Sequence, residues 1–147
     1  MKKSFAVAFV LMAVFALKLR SQVEQPLKLV QSITLPGLHD GDFDHFAVDS
    51  AGQWLFLTAE ENSAVEVIDV HTNKLVQTIK GPKAPHSMVY RADLKKLFVV
   101  DGDEEVGAVD IYEGDSFKPA GNIKLANNAD SSVYDPSTKY LYVVEGS

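Results

Sequence analysis

The sequence contains no cysteine. That absence excludes a disulfide framework, a C-x-x-C redox motif and lipid attachment through an N-terminal thiol. Clustered basic charge is also missing. Apart from Lys2, Lys3, Lys18 and Arg20, the densest group is Arg91 with Lys95-Lys96. The formal charge is −6, and it becomes −10 without those four N-terminal cations. Binding of nucleic acid through phosphate neutralisation is therefore not expected. No phosphate-cradling glycine loop occurs, and neither Ser87 nor Ser116 lies in a G-x-S-x-G elbow. No apolar run reaches the ~20 residues that span a bilayer as a helix.

What is present is apolar and strand-like. Hydrophobic residues make up 46% of the chain, enough for a packed core and too many for a disordered segment. At the N-terminus, Lys2-Lys3 precedes an unbroken apolar run over residues 5–17. A short basic region followed by such a run is the pattern of a secretory signal. Residues 1–21 are therefore expected to be a signal peptide. The basic Lys18 and Arg20 after the run keep an uncleaved anchor as the alternative. Either way the protein is expected to be exported, periplasmic or secreted. It would touch membrane only through this segment if the segment is retained.

The rest of the chain repeats itself. Leu55-Phe56-Leu57-Thr58, Leu97-Phe98-Val99-Val100 and Leu141-Tyr142-Val143-Val144 are matching apolar runs, 42 and then 44 residues apart. Ala64-Val65-Glu66-Val67-Ile68 matches Ala108-Val109-Asp110-Ile111-Tyr112 at the second spacing. The first two units each have four short runs rich in Val, Ile, Phe and Thr, parted by Gly, Asn, Asp and Ser, and the third has the first two of them, which reads as consecutive antiparallel hairpins. A period of about 40–45 residues with four strands per unit is that of a β-propeller blade. The expected class is all-β. Blade 1 covers residues 45–80, blade 2 covers 86–125, and half of blade 3 covers 130–147. Residues 28–35 read as a lone strand that would close a last blade, as propellers do to remove an open edge. About two and a half blades would leave unpaired sheet edges. The chain is accordingly expected to be the N-terminal part of a longer protein.

Three stretches resemble a known family. Gly41-Asp42-Phe43-Asp44-His45-Phe46-Ala47-Val48-Asp49 is similar to its G-R-F-D-H-L-A-V-D opening, with Asp42 in place of Arg. Ala64-Val65-Glu66-Val67-Ile68-Asp69 is similar to its T-V-E-V-I-D strand. Ala129-Asp130-Ser131-Ser132-Val133-Tyr134-Asp135 is similar to its A-D-N-V-R-Y-D, with Ser131-Ser132 departing. The family is the YVTN-type (YncE-like) β-propeller repeat family of exported bacterial proteins. The resemblance covers about residues 28–147. It implies a seven-bladed propeller, mostly a binding or surface protein outside the cytoplasm, and no assigned reaction.

Candidate site residues come from the first run of each unit, which would line the central channel. His45, His86 and Asp130 stand at its start, at spacings of 41 and 44. A ring of imidazole and carboxylate there could hold a divalent metal or polarise a small ligand. The competing reading makes each a tie between neighbouring blades. No cofactor is required by any motif. Asp40-Gly41-Asp42-Phe43-Asp44 lacks the glycine and glutamate of a calcium loop, and Asp101-Gly102-Asp103-Glu104-Glu105 is turn chemistry. Two functions remain. One is a non-enzymatic scaffold binding a protein, glycan or small molecule at one rim. The other is a propeller enzyme, lactonase-like or quinoprotein-like, with its site at the channel mouth. Asn127, Asn128 and Asp130 offer part of a lactonase metal set, but no matching Glu opens blade 1, which favours the scaffold. Fold alone does not choose between them.

Overall fold

A computed structural model describes residues 27–146. The expected signal or anchor at 1–21 lies outside them. Ten strands follow in order: β1 Phe43–Val48, β2 Trp54–Ala59, β3 Ala64–Asp69, β4 Lys74–Lys80, β5 Pro85–Arg91, β6 Lys96–Asp101, β7 Ala108–Glu113, β8 Pro119–Lys124, β9 Ala129–Asp135 and β10 Tyr140–Glu145. The described residues hold no α-helix, only a 3-10 turn at Glu60–Asn62.

The strands form antiparallel meanders β1-β2-β3-β4 and β5-β6-β7-β8, then the pair β9-β10. First strands neighbour one another, β1 beside β5 and β5 beside β9. Sheets stacked with their first strands side by side about one line are propeller blades. The chain is an all-β, partial β-propeller of two full blades and a half, as the repeat requires.

Alternation decides which face each strand buries. Phe56, Val65, Val67 and Ile79 of blade 1 pack against Met88, Leu97, Val99 and Tyr112 of blade 2. On the other side of blade 2, Val100 and Val109 meet Ala129, with Phe98, Leu141 and Val143 around them. Phe56, Val65, Leu97 and Val99 are wholly buried. Each such side chain stabilises the stack by about 1.5–3 kcal/mol.

Some residues depart from this pattern. Glu66 is fully buried on the face opposite Val65 and Val67. Thr78 Oγ1 donates to its Oε2 at 2.7 Å, while Oε1 has no hydrogen-bond partner. Residues 28–35 differ from the expected closing strand: they belong to no strand among the described residues. A strand exists only through a ladder with a neighbour, which a sequence pattern cannot supply by itself. Residues 39–42 instead lean on the 3-10 turn. Asn62 Oδ1 accepts from His39 N at 2.8 Å, and Glu60 N donates to Asp42 O at 3.1 Å.

Candidate functional site

The first strands of three blades bring polar side chains together at one end of those strands. Asp44 lies near the start of β1, His86 of β5 and Asp130 of β9. One donor atom from each lies within 4.8 Å of the other two. His86 Nδ1 stands 3.0 Å from Asp44 Oδ2 and 3.7 Å from Glu60 Oε2.

Register explains why these three meet. Ala47 pairs with Phe56, Val89 with Phe98 and Val133 with Tyr142. The first strands therefore share the 42- and 44-residue spacings of the second strands. Asp44, His86 and Asp130 are counterparts in successive blades. Both β1 and β5 carry an irregularity at the same place, between Phe43 and Phe46 and between Pro85 and Met88. Such bulges re-aim side chains at strand ends. In β1 the bulge is held by Thr58, whose Oγ1 accepts from His45 N at 2.8 Å and donates to His45 O at 3.2 Å.

The expected trio of His45, His86 and Asp130 is corrected by one position. His86 and Asp130 do converge. His45 is not among the converging donors, and Asp44 takes its place. A slip of one residue turns a side chain to the other face of a strand. The strand counterparts of His45 are Ser87 and Ser131. His45 keeps a supporting contact, its Nδ1 lying 2.7 Å from Asp44 Oδ1. Asp44 thus stands between two imidazoles.

Nothing in the sequence marks Glu60, because its place in the 3-10 turn is visible only in the fold. In the sequence, Ser87 stands out only as a serine that lacks a hydrolase elbow. Its Oγ instead donates to the Asp130 carbonyl at 2.8 Å and lies 2.8 Å from Ser132 Oγ. Blade-to-blade ties therefore exist beside the cluster, in Ser87 between blades 2 and 3 and in the Asp44–His86 contact between blades 1 and 2.

Space around His86 depends on Gly102. A Cβ at that position would overlap the His86 ring, approaching Nε2 to 2.6 Å, and would overlap the Ala129 carbonyl oxygen. Gly102 N also donates to Ala84 O at 2.8 Å, fixing the linker that leads into β5. Asp101 assists by accepting from Lys83 N and Ala84 N, each at 2.8 Å. Among the described residues, no Lys or Arg forms an ion pair with Asp44, Glu60 or Asp130. Carboxylate oxygens beside an imidazole, without a neutralising cation, are a donor set suited to a divalent first-row metal.

No protein-family model matches the chain, and no curated protein matches it. Solved structures do. Hydrazine synthase of Kuenenia stuttgartiensis aligns with a TM-score of 0.62 at 19% identity, over 76% of this chain and 32% of that one. The WD40 repeats of RRP9 and the structure of U3-55K each align with a TM-score of 0.51 at 12% identity, over 69% of this chain and 36% of theirs. The chain spans about a third of the length of these structures. At such identities the likeness is one of fold, and the fold it shows is the β-propeller.

Proposed function

We propose that the chain is part of an exported, non-enzymatic β-propeller of the YVTN type, seven-bladed when whole, that binds a ligand at one channel rim. A divalent cation held by Asp44, His86 and Asp130 would be the contact point. The observation that carries this reading is the convergence of three counterpart side chains within 4.8 Å. A cation there would offer open coordination positions to an oxygen-bearing protein, glycan or small molecule. Export rests on Lys2-Lys3 and the apolar run that follows; cell fractionation of the tagged chain tests it.

The test of the site is calorimetric titration of the chelator-stripped protein with Mn²⁺ and Zn²⁺. One saturable site, lost in Asp44→Ala and in His86→Ala, is the expected result. Absence of saturable binding would leave Asp44 and His86 as a blade-to-blade tie and sink the proposal. Glu60 favours a second reading, that of a lactonase-like or quinoprotein-like enzyme. Its carboxylate lies beside His86, where it could serve as a general base. Lactone hydrolysis by the metal-loaded protein that vanishes in Glu60→Gln would move the assignment to it.

A further inference from the structure

Blades 1 and 2 are both complete, and their outer halves enclose a second polar place. Tyr112 of β7 packs with Phe56, Val65 and Val67 of blade 1. Asp110, two residues earlier, shares that face of the strand. Across the ladder to β8, Tyr112 pairs with Pro119 and Asp110 with Asn122. The hairpin is pinned at its turn by Phe117, whose ring lies edge-on to Phe56 at 5.9 Å and to Trp54 at 5.8 Å. Away from that turn, Asp110, Tyr112, Pro119, Gly121 and Asn122 line an open groove of about 380 Å³ with Gly81, from the linker between β4 and β5.

The polar groups of this groove lack partners. Tyr112 is only 3% exposed, yet its hydroxyl makes no hydrogen bond. Among the described residues, Glu66 Oε1 is the one wholly buried side-chain polar atom without a partner, so Tyr112 Oη opens into the groove. Gly81 leaves it uncovered: a Cβ there would lie 3.1 Å from Oη, and its φ of 140 is one that other residues rarely adopt. Asp110 is half-buried, and no hydrogen bond or ion pair engages its carboxylate among the described residues. Blade 1 treats the counterpart place differently, since Glu66 faces Thr78 across the ladder and accepts its hydroxyl at 2.7 Å. Burial, and after it the charge of Asp101, raise the Asp110 carboxyl above its ordinary 3.8. A cation alongside would offset both effects. Burial also raises the Tyr112 phenol, which therefore keeps its proton.

We infer that this groove receives the guanidinium of an arginine side chain from a partner protein. The two oxygens of Asp110 match the planar fork of a guanidinium. Tyr112 Oη and the Asn122 amide oxygen can accept from its remaining N–H groups. The groove is open and runs beside β8, the outer edge strand of blade 2, whose residues are all exposed. That suits a side chain presented by another protein, whereas small-molecule sites enclose most of their ligand. The site is independent of the rim cluster, whose donors come from β1, β5 and β9.

The test is an amide NMR titration of the whole chain with a short capped glycine peptide that carries one central arginine. Saturable shifts of the Asn122 side-chain amide and the Gly81 backbone amide are expected. Asp110→Asn should weaken binding by about tenfold or more, since a charge-assisted pair is lost. Tyr112→Phe keeps the ring in the core and should cost roughly threefold or more. An unchanged β7–β8 ladder in the same spectra separates loss of binding from loss of fold. The same peptide with lysine in place of arginine should bind several-fold more weakly. No saturable shift, equal binding by Asp110→Asn or equal affinity for the lysine peptide overturns the inference. Agmatine binding as tightly as the arginine peptide would overturn the partner protein and assign the groove to a small guanidino compound.

Discussion

Asp44 and His86 occupy the same position in successive blades, 42 residues apart, and their side chains touch at 3.0 Å. An acid in one blade and an imidazole in the next make a contact that serves two ends. It ties blade 1 to blade 2, and it brings together two of the three side chains whose donor atoms converge within 4.8 Å.

The one-residue correction is open to direct measurement. Asp44→Ala should weaken Mn²⁺ binding by more than about 100-fold, as loss of a ligand exceeds loss of its support. His45→Ala, which removes only a support of Asp44, should cost about 10–100-fold. Equal losses in both variants would contradict the assignment of Asp44 as ligand and His45 as support.

Gly102 is needed for space and not for flexibility. Gly102→Ala should displace the His86 ring and lower metal affinity while leaving the β5–β6 ladder intact. Histidine NMR resonances and the calorimetric titration report the two effects separately. An unmoved His86 resonance would argue against this account.

Thr78→Val should destabilise the protein by about 1.5–3 kcal/mol, since it strips a buried carboxylate of its hydrogen bond. Glu66→Gln should cost less, because it removes the buried charge and can still accept from Thr78 through its carbonyl oxygen. Chemical denaturation of the pair of variants checks the order.

Asp135 controls the turn between β9 and β10. Ser137 Oγ and N donate to its Oδ1 at 2.7 and 2.9 Å, and Thr138 Oγ1 donates to its Oδ2 at 2.8 Å. These bonds, led by that of the Ser137 hydroxyl, lower its carboxyl from the ordinary 3.8 to about 2. A carboxyl lowered by folding adds stability above its ordinary value and loses it as pH falls towards its folded value. Asp135→Asn should therefore flatten the stability profile between about pH 4 and pH 2. A wild-type profile already flat there would refute the role.

The blades were legible because burial repeats. Leu55, Leu97 and Leu141 head matching runs, and each becomes the second strand of its blade. Of the rim residues expected from the sequence, His86 and Asp130 converge, and Asp44 rather than His45 joins them. The spacing of the second strands, carried over to the first, points to Asp44, whereas His45 matches His86 only in residue type. Glu60 has no repeat counterpart to mark it, and the role of Ser87 depends on which backbone carbonyl the next blade presents.

By itself the sequence determined period, strand alternation and turn chemistry, all of them local or repeated, and these are enough for an all-β propeller stack. Tertiary structure alone decided which side chains meet. The bulges in β1 and β5 set the aim of Asp44 and His86, the 3-10 turn brought Glu60 beside them, and blade stacking placed Phe117 against Phe56. Each of these depends on register between strands far apart in the chain. A shift of one residue, which barely alters a pattern of hydropathy, reverses the face to which a side chain points.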